Sequence, residues 1–161
     1  MDTENKDRLV RYLNDAWSVE NALVTALDKQ AKKCEDPELE QMYSQHARMT
    51  ETQRERLAAR LTDLGEKPAS GKGLFTTLMA TIADMMHKPY DEFDEQAQVL
   101  MKSYAIEHLE CAMYRSLEAF AEAIGDQRSA DLARELMAEE KATAEKLWPQ
   151  IGIVAKIPAR A

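Results

Sequence analysis

Some glutamates of this chain lie on helical stripes that are otherwise apolar. In two long segments the stripe residues recur at steps of three and four positions, and the stripes include Glu20 and Glu110. Such steps place their members on one face of a helix, so both carboxylates are expected to point toward the core. A lone buried carboxylate costs several kcal/mol unless it is neutralised. Several carboxylates that converge are therefore typical of a metal site inside a four-helix bundle.

The two halves of the chain share a pattern that suggests an internal duplication. Ninety positions separate Glu20 from Glu110, and Met49 and Glu139 have the same offset in the second helix of each half. Glu20, Glu110 and Glu139 thus occupy three of four equivalent stripe positions. The same offset gives the pairs Ala22 with Ala112, Leu27 with Leu117, Asp36 with Asp126, and Glu55 with Glu145. The alternative is a chance agreement, because any two amphipathic hairpins can be aligned until their stripes match.

Two further glutamates, Glu107 and Glu140, lie within a turn of this expected layer. Five uncompensated charges would repel one another strongly at low dielectric, whereas one or two divalent cations would convert that repulsion into ligation. Oxygen-rich sites favour iron(II), manganese or magnesium over zinc or copper. Two alternatives stay open: Glu107 and Glu140 could face water on the flank of the stripe, and Glu20 could pair with an arginine such as Arg56.

Other side chains could complete such a site. His46 lies on the stripe of the second segment, where it is either a ligand or a hydrogen-bonding core residue. Tyr114, four residues after Glu110, could hydrogen-bond a ligating carboxylate or be an ordinary core tyrosine. The sequence has no Gly-rich phosphate loop, nucleophile elbow or Cys/His pair, so no catalytic residue is assigned and enzymatic activity stays open.

The elements that must position these residues are helices. A single domain over residues 1–150 is expected to contain helices at about 3–33, 37–64, 74–87, 91–124 and 126–147, with an irregular tail at 151–161. Aspartates and glycines mark most of the helix starts and stops, and Pro149 is expected to end the last helix. Two short-loop hairpins joined by a long connection predict an all-α, ferritin-like four-helix bundle with an extra short crossover helix.

Composition limits the classes of partner. The 161 residues include only five glycines and five prolines, which is a helix-forming composition. The net charge of −8 produces a negative field that repels phosphate backbones. The N-terminal stretch is polar and acidic, unlike a signal peptide, and no apolar run is long enough to cross a bilayer. We therefore expect a cytoplasmic protein that binds neither nucleic acid nor membranes.

The expected crossover helix carries more apolar side chains than one packed face can bury. They are Phe75, Leu78, Met79, Ile82, Met85 and Met86. Burial against a second copy of the chain would remove the exposed patch, and two-fold dimers are the commonest oligomers. We expect a homodimer with this helix at or near the interface; other protein partners are not predicted.

Short motifs in a fixed order carry a resemblance to a known family. They are Asp15-Ala16-Trp17-Ser18-Val19-Glu20, His46 with Thr50 and Gln53, Leu64-Gly65-Glu66-Lys67-Pro68, Ile106-Glu107-His108-Leu109-Glu110 with Tyr114, and Glu139-Glu140-Lys141. Over nearly all of residues 8–147 the chain resembles the small bacterial ferritin-like proteins of the YciE/YciF stress-protein type. The resemblance implies a four-helix bundle with an added helix, subunit pairing and a di-iron or dimanganese centre.

The chain departs from that family's pattern at the expected site. Arg48 and Met49 stand where the family has acidic residues, and Ala144 stands where it has an aspartate. The Glu-x-x-His pairs of well-known di-iron bundles are replaced by Thr-x-x-Gln from residue 50 and Glu-x-x-Thr from residue 140. Two hypotheses follow. The first is a stress-associated protein that binds one or two iron or manganese ions, with ferroxidase or peroxide-handling chemistry; the second is a metal-free structural or interaction bundle whose site has decayed.

Overall fold

Each long apolar stripe of the sequence folds into a helix. The computed structural model describes residues 2–69, 77, 80–81 and 86–157. Among these residues there are four long helices and no strand. The helices are α1 (Thr3–Lys33), α2 (Pro37–Asp63), α3 (Glu92–Ala123) and α4 (Gln127–Val154). The predicted all-α bundle is confirmed.

The crossover between α2 and α3 is described only in part. Thr77, Ala80 and Thr81 are helical, within the crossover helix expected at 74–87. The rest of that helix up to residue 85, including Phe75 and Met79, lies outside the described residues. The homodimer expected from its apolar face therefore stays a prediction.

Local hydrogen bonds define the helix ends. The side chains of Asp2, Asp36, Asp91 and Asp126 accept hydrogen bonds from backbone amides in the first turns of α1 to α4, which satisfies donors that a helix start leaves open. After α2, Gly65 has a φ of 80°, and backbone bonds run from Gly65 to Thr62 and from Glu66 to Leu61.

The same two bonds close α3 around Gly125, whose φ is 75°. This arrangement of crossed bonds requires a left-handed residue, which glycine adopts without a steric penalty. Only residues 124–126 separate α3 from α4, so these two helices form a tight hairpin.

The last helix is longer than the sequence predicts. Pro149 was expected to end it and residues 151–161 to be irregular, but α4 continues to Val154 with Pro149 inside the helix. The expectation of an irregular tail is thus wrong for residues 151–154. Val154 is 3% exposed, and Ile151 packs against the same core cluster. Their burial offsets the backbone hydrogen bond that an internal proline removes.

Packing divides the bundle into two hairpins with a layered core. Helix α1 packs mainly on α2 and α3 mainly on α4, while α1–α3 and α2–α4 contacts join the hairpins. Buried apolar side chains form two clusters: one includes Leu23 and Leu147, and the other includes Leu13 and Leu136. Each buried leucine contributes about 2 kcal/mol. On each helix, buried polar residues at sequence positions between these two clusters form a buried polar layer.

No helix within the described residues combines the length and the hydrophobicity that spanning a bilayer would require.

Candidate metal centre

Four carboxylates are buried in the polar layer between the two apolar clusters. Glu20 comes from α1, Glu107 and Glu110 come from α3, and Glu140 comes from α4; each side chain is at most 2% exposed. We refer to these four glutamates as the carboxylate cluster. Glu107 and Glu110 are three residues apart, so they lie on one face of α3. Burial of Glu20 and Glu110 agrees with the stripe analysis, and the alternative that Glu107 and Glu140 face water is wrong.

Helix α2 adds nitrogen and neutral oxygen donors in place of a carboxylate. His46, Thr50 and Gln53 are all buried, with exposures of 6%, 1% and 0%. The positions recur at steps of four and three residues, which aligns them along the face that meets the cluster. The layer therefore receives residues from all four of the described long helices.

Three side chains are close enough to share one cation. His46, Glu107 and Glu140 each offer a ligand atom, and these atoms all lie within 4.8 Å of one another. The Nε2 atom of His46 is 3.3 Å from Oε1 of Glu107. Metal–ligand bonds to nitrogen and oxygen are about 2.0–2.2 Å, so atoms at this spacing can surround an ion after small side-chain shifts.

Neighbouring polar groups orient two of the carboxylates. The Tyr114 hydroxyl donates a hydrogen bond to Oε1 of Glu20. The amide nitrogen of Gln53 donates to Oε1 of Glu140 at 2.6 Å and to Oε2 of Glu139 at 3.0 Å. Such supporting bonds fix the direction in which a ligating carboxylate points. Tyr114 thus has the hydrogen-bonding role that the sequence offered as one of its two alternatives.

Several acceptors in the layer have no partner. Oε2 of Glu107, Oε1 of Glu110 and Oε1 of Gln53 are buried without a hydrogen bond. Within the described residues, no lysine or arginine forms an ion pair with any member of the carboxylate cluster. Buried acceptors without partners are rare in folded proteins and call for an explanation such as an ion or an ordered water. Hard oxygen donors with one imidazole suit iron(II) or manganese(II), so the residues fit such an ion.

Burial and mutual repulsion shift the pKa values of all four carboxyl groups upward. Burial, then the nearby Glu140 carboxylate, raises the pKa of Glu107 to about 10. Burial raises the pKa of Glu140 to about 7, while hydrogen bonds from Glu107 and Gln53 oppose that rise. The pKa values of Glu20 and Glu110 are also well above their usual range, mainly through burial. Without a cation the cluster would therefore hold protons at neutral pH.

The His46 ring is shifted in the opposite direction. Burial, with the nearby positive charge of Lys146, lowers the pKa of His46 to about 4. Its imidazole is therefore neutral at pH 7, which is the form that binds metals.

Glu139 is not part of the buried cluster. Its side chain is 35% exposed, and its Oε1 atom accepts from Nη1 of Arg56 at 2.7 Å. Arg56 also pairs with Glu135 at 2.5 Å, so the alternative in which Arg56 neutralises Glu20 is wrong. The layer on α4 is centred one residue later than expected, at Glu140. With an offset of 90 its counterpart on α2 is the buried Thr50 rather than the partly buried Met49.

Comparison with known proteins identifies the family of this chain. A family model described as Domain of unknown function (DUF892) matches residues 4–151. The chain belongs to the DUF892 family. It is 27% identical over 146 residues to Protein YciF of Escherichia coli strain K12, a match that covers 88% of this chain and 87% of that protein. The resemblance to YciE/YciF-type proteins is confirmed.

Solved structures place this DUF892 chain in the ferritin-like fold. The E. coli stress protein YciF has a TM-score of 0.82 at 26% identity, covering 98% of this chain and 99% of that one. A protein from Xanthomonas campestris pv. campestris has a TM-score of 0.78 at 29% identity, covering 98% and 97%. An archaeal Dps homologue from Halobacterium salinarum has a TM-score of 0.74 at 24% identity, covering 94% and 83%, which bears on the fold alone.

Proposed function

We propose that this protein binds one or two divalent cations, iron(II) or manganese(II), in the buried carboxylate layer. The observation that carries the proposal is the burial of four carboxylates at exposures of 2% or less with no lysine or arginine paired to them in the described residues. The ligands are Glu20, Glu107, Glu110 and Glu140 of the carboxylate cluster, with His46 from α2. Glu139 lies at the edge of the layer.

Charge balance supports a site for up to two ions. Four ionised carboxylates carry a charge of −4, which two divalent cations would neutralise. Protons can neutralise the same groups and allow hydrogen bonds between carboxyl groups, such as the one from Glu107 to Glu140, but one buried oxygen each of Glu107 and Glu110 still has no hydrogen-bond partner. A bound cation satisfies charge and coordination together. The mixture of carboxylate oxygens and one imidazole matches iron(II) and manganese(II) better than soft metals.

The chain's own groups prepare such a site. Tyr114 holds Glu20 and Gln53 holds Glu140, so two ligands on different helices are oriented from outside the cluster. The apolar clusters on either side keep bulk water away. Bound iron or manganese would supply one-electron chemistry with oxygen or peroxide. Because the E. coli relative is described as a stress protein, we place ferroxidase or peroxide handling in a stress response as the finer form of the proposal.

A second function is favoured by the composition of α2 and α4. Di-iron bundles use Glu-x-x-His on two helices, whereas here Thr50 and Gln53 occupy those positions on α2, and Thr143 replaces the histidine on α4. A metal-free structural or interaction bundle would keep its carboxyl groups protonated. In that case a chelator would leave the melting temperature unchanged, because no ligand stabilises the folded state by mass action.

Metal binding can be tested with a matched pair of variants. Chelator-treated protein is loaded anaerobically with iron(II), and separately with manganese(II), and the bound metal per chain is measured after desalting. We expect one to two ions in the unmodified protein and a loss of binding in Glu110→Gln. Glu118→Gln is the control, since Glu118 lies on the same helix at 6% exposure but is paired with Arg115 and Arg134.

Two outcomes would overturn the proposal. One is a stoichiometry near zero for both metals. The other is an unchanged stoichiometry in the double variant Glu20→Gln, Glu110→Gln, provided that circular dichroism shows this double variant to be folded.

A further inference from the structure

A small recess between α2 and α4 reaches the buried layer. Its volume is about 70 Å³, and its lining includes Met42, His46 and Met49 from α2 with Thr143 and Lys146 from α4. His46 belongs to both the recess and the metal-ligand group, because its Nε2 atom lies 3.3 Å from Glu107. The recess thus leads from the outside of the bundle to His46, which borders the carboxylate cluster.

The dimensions of the recess limit what can pass. Its volume of about 70 Å³ is several-fold smaller than the volume of about 360 Å³ of the recess lined by Tyr104 and Trp148, so it favours species of only a few atoms. Dioxygen and hydrogen peroxide are of suitable size.

The chemistry of the lining favours uncharged species. Two thioethers and the Leu147 side chain form apolar walls. Among the lining residues, all of which the structure describes, Lys146 is the one that carries a full charge at neutral pH. Its positive charge opposes the entry of a divalent cation, and no carboxylate at the mouth offsets it. Methionine adapts its shape easily, which lets the walls yield to a small guest.

We propose that this recess is the entrance through which small uncharged molecules of dioxygen size reach the carboxylate cluster, and that Met49 sets its width. The inference rests on the proposed metal-binding function. Met49 lines the recess one turn after His46 and is partly buried, so the size of its side chain affects the space beside His46. It gives a role to one of the residues at which the chain departs from the acidic pattern that the family resemblance implies.

Nitric oxide is a suitable probe, because it is uncharged, diatomic and gives a visible absorption band on binding iron(II). Protein loaded anaerobically with iron(II) is mixed with nitric oxide in a stopped-flow instrument, after bound iron has been measured for each variant. We expect Met49→Trp to slow the association about tenfold, because the larger indole narrows the recess; this corresponds to about 1.4 kcal/mol of added barrier. Met49→Ala widens the recess and should accelerate the association. Met49→Leu, which conserves volume, should change the rate little.

The controls separate this inference from the proposed function. Met101→Trp places the same indole on α3 at a side chain that is 45% exposed and does not line the recess, and it should leave the rate unchanged. If the unmodified protein binds no iron(II), the proposed function fails. If iron(II) is bound normally but neither Met49→Trp nor Met49→Ala changes the nitric oxide rate, the entrance lies elsewhere. If Met49→Trp slows iron(II) loading as much as nitric oxide binding, the restriction to uncharged molecules is wrong.

Discussion

Two groups of charged side chains contact α2 at points about two turns apart, and only one of the groups contains its own opposite charge. Arg60, at 9% exposure, donates to the Ser129 hydroxyl at 2.8 Å and to the Asp126 carboxylate at 2.6 Å. Seven residues earlier, Gln53 faces the carboxylate cluster, where buried acceptors of Glu107 and Glu110 have no partner. We refer to Arg60, Asp126 and Ser129 as the arginine network.

The contrast shows that this chain supplies an opposite charge where a buried charged residue connects two helices. The arginine network ties the end of α2 to the start of α4, and each of its polar groups is used. Charges in such a network cost little net free energy as long as the set stays complete. The carboxylate cluster is buried more deeply but lacks the opposite charge, so the missing partner is expected to come from outside the chain.

The largest effect should follow from breaking the matched network. Arg60→Ala removes charged hydrogen bonds to the buried Ser129 hydroxyl and to Asp126, whose side chain is 13% exposed, and we expect a loss of about 3 kcal/mol in the free energy of unfolding. Urea denaturation followed by circular dichroism measures it. Arg128→Ala is the control, since Arg128 is 75% exposed in its pair with Asp63 and should matter by less than about 1 kcal/mol. Equal losses in the two variants would contradict the comparison.

The unmatched cluster should make the metal-free protein less stable as pH rises. Glu107 has a folded pKa of about 10 against an ordinary value of 4.5. Below the unfolded pKa both the folded and the unfolded chain hold this proton, and the stability is highest. Between the unfolded and the folded pKa only the folded chain holds it, so the free energy of unfolding falls as pH rises until the folded pKa is passed. From pH 7 to 8.5 each retained proton costs about 1.4 kcal/mol per pH unit, so Glu107 alone gives a fall of about 2 kcal/mol. Glu20 and Glu110, whose pKa values are also raised by burial, add to that fall.

This pH interval lies above the titration of His46. The pKa of His46 is lowered to about 4, so its titration in either state is nearly complete by pH 7. The measurement is the free energy of unfolding in urea at three pH values with a chelator present. Glu107→Gln should reduce the slope by about 1.4 kcal/mol per pH unit, whereas Arg60→Ala should keep it. A flat profile in the unmodified metal-free protein would mean that the cluster does not hold its protons.

A smaller effect is expected from the support of a single ligand. Tyr114→Phe removes the hydroxyl that donates to Glu20, leaving that carboxylate without its donor at a cost of about 1 kcal/mol. Loss of an outer hydrogen-bond partner also lowers metal affinity by about 10–100-fold. Competition with a chelator of known affinity measures that decrease. An unchanged affinity would show that Tyr114 serves packing alone.

The sequence predicted the bundle because its signals are local and repeated. Aspartate caps, glycine stops and leucine stripes each act over a few residues, and the helices begin and end near them. The signal of Pro149 was misleading, because burial of Val154 beyond it decides whether the helix continues. Tertiary contacts of that kind are not visible in a local pattern.

The site was predicted in part. Glu20 and Glu110 lie between large apolar residues, which fixed their stripe. On α4 the buried positions beside Glu140 include Ala133 and Ala144, and alanine is common on both faces of a helix. The phase of that stripe was therefore ambiguous by one residue, and Glu139 was placed where Glu140 lies. The offset of 90 from the buried pair Thr50 and Gln53 could have resolved it.

The smallest effect is expected at Glu139, and it tests that one-residue difference directly. Glu139→Gln weakens a partly exposed pair with Arg56, so stability should change by less than about 1 kcal/mol and the bound metal per chain should stay the same. Glu140→Gln alters the adjacent residue, whose carboxylate lies within 4.8 Å of ligand atoms from His46 and Glu107, and it should abolish binding of at least one ion. Metal analysis of both variants after identical loading makes the comparison, and loss of metal from Glu139→Gln but not from Glu140→Gln would show that the layer is centred on the other residue. Because the two substitutions are chemically identical and adjacent on one helix, helix propensity and net charge cancel between them. What remains is the difference between a carboxylate at the solvent edge, matched by an arginine, and one in the core that is matched by no arginine or lysine in the described part of the chain.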